Sequence, residues 1–322
     1  MLESDSFRYH PCTHAGTLQH LNSLDKEYRF EIAAACDLSL ERLKTFKEWW
    51  KTDTENIATD VDFRNILDQH EIDLLIISSS FSSHHEICRY ALEKKVKAIV
   101  LEKPAVENIK EIQELLEISV KNGIPIWINF ERRYHNGYRE VKKFIDQKIL
   151  GDLRSINGKV LTGSVRPEDE GSPLLLDGIH WFDILLWFFG KPDITNVSGK
   201  KSEFSDMYDT AVMQLNYGEV PVFFEAGGKR KYFEFFMEID FEKGRIRTGN
   251  EGQFFYRSEL SKRYENFYEL TLQNIKIEKN NPWIDMYEEV ADYILNKEKK
   301  ITSPLQDSLL SLELYSDVMR NI

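Results

Sequence analysis

The sequence predicts an α/β protein: a Rossmann-like doubly wound parallel sheet, then an α+β region with a large, mostly antiparallel, open-faced sheet. Three observations carry this. Up to residue 130, short apolar runs ("FEIAAACD", "IDLLIISSS", "VKAIVLEKP", "IPIWINF") alternate with stretches of helical spacing. Near-continuous Ile/Val/Leu strands separated by helices mean a parallel sheet covered on both faces. Beyond residue 151 the period becomes two. In "YFEFFMEIDF", Phe233, Phe235, Met237, Ile239 and Phe241 share one face, and Glu234, Glu238 and Asp240 share the other with Phe236. Finally, 322 residues suffice for two separate cores.

Taken in order, "LSLERLKTFKEWW" has apolar positions at helical spacing with Ser39 as N-cap, "HHEICRYALEKK" is a second helix, and "NIKEIQELLEISVKNG" is a third, ended by Gly123. One further helix covers residues 138–151. The strands "DTAVMQLNYG", "VPVFFEAGG" and "GQFFYRS" then accompany "YFEFFMEIDF", and helices starting near Pro282 and Pro304 close the chain. The expected division is a doubly wound domain over 1–127, an α+β domain over 128–303, and a C-terminal helix over 304–322. The outer sheet face keeps several aromatics, which predicts a homo-oligomer formed through it.

Composition narrows the partners. A formal charge of −12 disfavours a phosphate-driven grip on nucleic acid. The longest apolar segment, "WFDILLWFFG", is about half of what a membrane span needs and carries Asp183, so no membrane partner is expected. The start, "MLESDSFRYH", lacks a basic and then apolar leader, and Cys12, Cys36 and Cys88 are scattered without CxxC spacing. Together these predict reduced thiols in a cytoplasmic protein.

In an open parallel sheet, ligands bind at the carboxyl ends of the strands. Asp37 closes "EIAAAC", where an acidic side chain either accepts both hydroxyls of an adenosine ribose, favouring NAD over NADP, or serves the N-terminus of the next helix. Ser78, Ser79 and Ser80 close the second strand, either admitting a cofactor close to the backbone or starting a loop in which Ser82 or Ser83 caps the helix with His84 and His85. Glu102 and Lys103 close the third. Pro104 keeps Lys103 extended, so the lysine is either a held cation or half of a solvated pair. In "LLLDGIHWFD", Asp177 and Asp183 stand three residues to either side of His180, on one broad face of a helix. Phe182, Leu185, Leu186 and Phe189 face a core. Three possible metal ligands without a second cluster argue against a metal site.

These residues, in this order, resemble the Gfo/Idh/MocA family of oxidoreductases. The likeness runs through "AACD", "SSSFSSHHEICRYALEKKVKAIVLEKP", "NFERRYHNGYREVKKFIDQKILGDLRSI", "LLLDGIHWFDILLWFFG" and "SPLQDSLLSLELYSDVM". The resemblance implies a dehydrogenase that moves a hydride between NAD and a secondary alcohol of a sugar, cyclitol or nucleotide-linked sugar. It implies His180 as the base, Lys103 as the cation beside the nicotinamide, and Asp177 as orienting His180 or holding a neighbouring hydroxyl. Asp183 then supports from behind, Arg133 and Tyr134 border the substrate, and Asp37, Ser79 and Glu102 line the dinucleotide. The chemistry agrees: oxidising an alcohol needs a base near neutral pH at the hydroxyl and a cation to stabilise charge on its oxygen. It also requires Lys103 and His180, far apart along the chain, to meet at one substrate.

Two features depart from the pattern. Leu176 stands where family members commonly place an aspartate four residues before the histidine, and no G-x-G-x-x-G turn occurs anywhere. "LESDSFRYHPCTHAG" resembles the segment that follows that turn, with His14 and Gly16 on the first helix, so the first strand of the unit is expected upstream of Met1. Without it, the strands "EIAAAC" and "DLLIIS" should stand roughly 9–10 Å apart or pair directly at about 4.8 Å. The missing turn also supports an alternative, a non-catalytic relative that binds a sugar or serves as a scaffold.

Overall fold

The computed structural model describes residues 12–50, 57–163, 171–203, 207–297 and 299–322. Its first described helix, α1 (His14–Asn22), is capped by Thr13, whose hydroxyl accepts from the Gly16 amide at 3.2 Å. This satisfies one of the first-turn N–H groups that a helix leaves open. Then follow β1 (Ala34–Cys36), α2 (Leu40–Trp49), β2 (Ala58–Asp60), α3 (Phe63–Gln69), β3 (Leu74–Ile77), α4 (His84–Lys94), β4 (Ala98–Leu101), α5 (Ile109–Asn122) and β5 (Ile126–Ile128). Ser39 caps α2, accepting from the Arg42 amide, and Asn108 caps α5. Gly123 ends α5 at a φ of +66°, which costs glycine nothing.

All strand pairs in this region are parallel, but they form two sheets, β1-β2 and β3-β4-β5. Direct pairing of "EIAAAC" with "DLLIIS" is therefore corrected: among the described residues β1 pairs with β2, and β3 pairs with β4. β2 was not foreseen, because its three residues are all half-buried and present no apolar run.

Helix α6 (Asn136–Asp146) leads into β6 (Leu153–Leu161), a helical turn Pro173–Leu176, and α7 (Gly178–Phe189). Seven strands follow: β7 (Asp193–Lys201), β8 (Tyr208–Tyr217), β9 (Val220–Gly227), β10 (Glu234–Phe241), β11 (Gly244–Gly249), β12 (Gly252–Leu260) and β13 (Tyr268–Gln273). They join β6 in one sheet of order β13-β12-β11-β10-β6-β9-β8-β7, antiparallel except for β6-β9. Period two holds: Phe235, Met237 and Ile239 are buried with Ile156, Val222, Phe224, Ala211 and Met213. Two assignments in "YFEFFMEIDF" change. Phe233 precedes β10 and is exposed, and Phe241 lies beyond a register shift at Asp240 and is only half-buried. Val212 and Phe223 are exposed on the other face.

Helix α7 is seated by one bulky residue over one small one. The Trp181 ring stacks on Phe224, with centroids 3.9 Å apart and planes 9° apart, and its Nε1–H donates to Phe236 O at 3.2 Å. Gly158 makes the room, because a Cβ there would stand 2.2 Å from Trp181 Nε1.

Two helices complete the chain, α8 (Pro282–Ile294) and α9 (Leu305–Arg320). The structure separates into two compact units, Met1–Tyr134 with Asn281–Gln306, and His135–Asn280 with Asp307–Ile322. In the first, Met286, Tyr287 and Val290 of α8 share a core with Leu18 and Leu21 of α1, Ala98 and Val100 of β4, Trp127 and Tyr134.

Candidate functional site

The carboxyl ends of β1, β3, β4 and β5 carry the first unit's candidates. Asp37 follows β1. Its Oδ1 accepts from the Ser39 amide at 2.8 Å while Oδ2 stands 3.8 Å from Arg42 Nη1, so it helps to start α2 and leaves its second oxygen toward solvent. After β3, the Ser79 and Ser83 hydroxyls are 2.7 Å apart, and Ser83 Oγ donates to Ser80 O. Ser83 holds the N-cap position of α4 without a capping bond, because Phe81–Ser83 is already a 3₁₀ turn. The capping role considered for Ser83 is thus not realised.

β4 delivers Glu102 and Lys103. The Glu102 amide donates to Ile77 O at 2.9 Å, and the Lys103–Pro104 peptide is cis. Glu102 Oε1 accepts from Asn129 Nδ2 at 2.6 Å and from His14 Nε2 at 3.0 Å, and Oε2 accepts from the Lys103 amide at 3.2 Å. Burial pushes the Glu102 carboxyl up, but His14, the Asn129 amide and the Lys103 charge together outweigh it and hold the group below the usual carboxylate range. His14 Nδ1 lies 2.5 Å from the Tyr287 hydroxyl. Burial, then the Glu102 charge, keep that phenol protonated well past its ordinary range. His14 thus stands between the Glu102 carboxylate at Nε2 and the Tyr287 hydroxyl at Nδ1. A fixed anion stands next to Lys103, held from α1 and the end of β5, with Tyr287 of α8 behind His14.

Arg133 and Tyr134 are buried in the 3₁₀ turn Glu131–Tyr134. Arg133 Nη1 donates to Thr302 O at 3.3 Å. The Tyr134 hydroxyl donates at 2.9 Å to Glu289, which also accepts from Trp127 Nε1 and from the Thr302 amide and hydroxyl. Tyr134 therefore anchors α8 in the core, and its hydroxyl is committed there.

In the second unit, Asp177 is half-buried at the N-cap position of α7, its carbonyl accepting from the His180 amide at 3.3 Å. His180 is 8% exposed and Asp183, one turn further along, 1%. Phe182, Leu185 and Leu186 are buried as expected, whereas Phe189 is only half-buried. Helix α7 is thus apolar nearly all round, with one imidazole and one carboxylate sunk into it.

Two polar side chains escaped the sequence reading. Asn129, 3% exposed at the end of β5, donates to Glu102 but its Oδ1 meets no donor among the described residues. Asp209 of β8, also 3% exposed, has Oδ1 in the same state on the buried face of the sheet. Gly228 opposite leaves it space, since a Cβ there would stand 2.2 Å from that oxygen. The only linear signal was that each interrupts an apolar pattern at a strand end. Buried acceptors without donors are costly unless something brings a donor to them.

The model of an oxidoreductase family with an NAD-binding Rossmann fold matches residues 13–130, and that of the GFO/IDH/MocA C-terminal domain matches 138–247. Inositol 2-dehydrogenase of Salmonella typhimurium is 24% identical over 163 residues, 50% of this chain and 47% of that protein. The chain thus spans about half the length of that curated relative. Among solved structures, the WlbA dehydrogenase from Bordetella pertussis, in complex with NADH and UDP-GlcNAcA, is similar with a TM-score of 0.76, 16% identity and coverage of 96% and 91%. KijD10, a 3-ketoreductase from Actinomadura kijaniata in complex with TDP-benzene and NADP, gives 0.77, 16%, 96% and 92%. At these identities the solved structures speak for the fold.

Proposed function

Since the chain belongs to the Gfo/Idh/MocA oxidoreductase family, we propose that it is a cytoplasmic dehydrogenase acting with NAD on a secondary alcohol of a sugar, cyclitol or nucleotide-linked sugar. The observation that carries this reading is the polar cluster at the end of β4, where Lys103 follows a buried carboxylate held ionised by His14 and Asn129. A cation kept beside a fixed anion has a defined place, which charge stabilisation at a reacting oxygen requires.

The residues fit a nicotinamide dinucleotide. Ser79 and Glu102 follow β3 and β4, neighbours in one parallel sheet, Asp37 follows β1 of the other, and the buried Asn129 Oδ1 offers an acceptor to an incoming donor. When bound, NAD supplies the hydride acceptor. Asp37 accepts the ribose hydroxyls and opposes a 2′-phosphate, while Ser79 and Glu102 line the dinucleotide. His180 Nε2 or Nδ1 takes the hydroxyl proton, Asp177 orients it or holds a neighbouring hydroxyl, and Asp183 supports it from within α7. Lys103 stabilises the developing charge on oxygen, and Arg133 completes the substrate side with Tyr134 as its buried anchor.

Calorimetric titration with NAD and NADP, followed by turnover of candidate polyols, tests the reading. Affinity for NAD should exceed that for NADP by about tenfold or more. His180→Ala should lower kcat by about 10²–10⁴ and leave NAD affinity within about twofold. Equal loss of both would move His180 to a structural role. A second reading, ligand binding without turnover, is favoured by the Thr13 hydroxyl, which already satisfies the Gly16 amide at the start of α1. A calorimetric response to sugars but none to NAD would select it.

A further inference from the structure

His84 opens α4 and is 1% exposed. Its Nδ1 lies 3.0 Å from Pro104 O and 3.2 Å from Ala105 O, and its Nε2 lies 3.0 Å from Ser79 O. Carbonyl oxygens only accept, and a neutral imidazole carries one N–H. In either neutral tautomer, one ring nitrogen therefore turns a lone pair toward a carbonyl oxygen. Only the imidazolium donates on both sides. The oxygens belong to two different strand-end loops, one carrying Ser79 after β3, the other following Lys103 after β4.

We propose that His84 is a positioning residue that clamps these two loops, and that uptake of one proton by its ring turns a one-sided tie into a two-sided tie. With the N–H on Nε2 the ring secures the Ser79 loop, with the N–H on Nδ1 the Pro104–Ala105 loop, and with both it fixes Ser79 relative to Lys103. The extension to cofactor rests on the dinucleotide reading given above. A dinucleotide that needs both loops in place binds the protonated clamp better, so by linkage its binding raises the proton affinity of the ring.

The surroundings set the pH range. Burial lowers the His84 pKa below 6.5, opposed by the three carbonyls and by Glu102. From the end of β4, Glu102 is the charged group that acts on it. On its own helix, His85 is committed to Glu114 of α5 at 3.1 Å and Glu86 to Arg64 of α3. Because the folded value lies below the unfolded one, the contribution of this ring to stability is complete above about 6.5 and declines as pH falls below it. The clamp thus closes in the range where global stability declines, and the two trends oppose each other.

The test is ¹⁵N spectroscopy of the His84 ring in the full chain between about pH 7.5 and pH 5.5, with and without saturating NAD. Amide hydrogen exchange of residues 78–83 and 103–106 is followed alongside. The expected result is one pyridine-like nitrogen at high pH, two N–H nitrogens at low pH, protection of both loops rising together along that titration, and a midpoint moved upward by NAD. His84→Asn, whose amide can donate to one loop at any pH, should abolish the pH dependence of loop exchange and weaken NAD about five- to tenfold near pH 6. His85→Asn should do neither. A ring that keeps its pyridine-like nitrogen until the protein unfolds, or loops whose exchange ignores the titration, overturns the clamp. If the ring and the loops titrate together but NAD does not bind, the clamp stands and the dinucleotide reading falls.

Discussion

Glu102 shows how much one side chain can be asked to hold. Its carboxylate accepts from α1, β5 and the following amide at once, and the hydrogen bonds and charge of its neighbours overcome the cost of burying it. Its ordinary value is 4.5 and its folded value is lower, so its contribution to stability is complete above about pH 4.5 and is lost as pH falls through the folded value. Glu102→Gln should therefore cost about 1–3 kcal/mol at neutral pH and flatten the acid limb of urea unfolding midpoints between about pH 3 and pH 7. An unchanged acid limb would assign that limb to other carboxylates. At this scale the sequence was legible where a residue's role follows from its neighbours in the chain: Ser39 as a cap, Gly123 as a stop, Glu102 and Lys103 at a strand end. It was silent on Asn129 and Asp209, because the burial of one polar atom depends on residues distant in the chain.

Among the elements, α7 is fitted closely against β6 and β9. Trp181 occupies the space that Gly158 leaves and is fixed on Phe224 by stacking, which locates the backbone carrying His180 and Asp183. Gly158→Ala should destabilise the protein by about 2–4 kcal/mol, read by denaturant midpoint. The buried indole emission should shift to longer wavelength if Trp181 is expelled. A variant of native stability with unchanged emission would mean that β6 yields instead. The helices and the period-two strands could be read because their patterns repeat over many residues. β2 could not, with three half-buried residues, and neither could the division of the parallel strands into two sheets, because pairing partners are chosen in space.

For the whole molecule, the outer face of the eight-stranded sheet sets exposed Val212 and Phe223 near cross-strand ion pairs. Arg245 meets Asp240 at 2.6 Å and Arg247 meets Glu238 at 3.7 Å, each directly opposite in the β10-β11 register. A depression of about 430 Å³ on this sheet is lined by Lys159, Phe236, Arg247 and Phe254. We expect this face to pair with a second copy, the apolar residues supplying area and the satisfied charges supplying register. Sedimentation should show an oligomer, and Phe223→Asp should shift it toward monomer by about tenfold or more in dissociation constant. A monomer at every concentration would retire that expectation.

The first unit is built from two stretches of chain separated by the whole of His135–Asn280. The Tyr287 hydroxyl that meets His14, and the Glu289 carboxylate that receives Trp127 and Tyr134, are both supplied by the second stretch. On the ribosome this has a direct cost in time. The sheets of the first stretch emerge before the second, and the Trp127 indole, the Tyr134 phenol and His14 Nδ1 wait for these partners until Asn281–Gln306 has been translated. The nascent protein must be kept from aggregating through that interval, and a premature stop anywhere before α8 leaves a half that cannot close its own core.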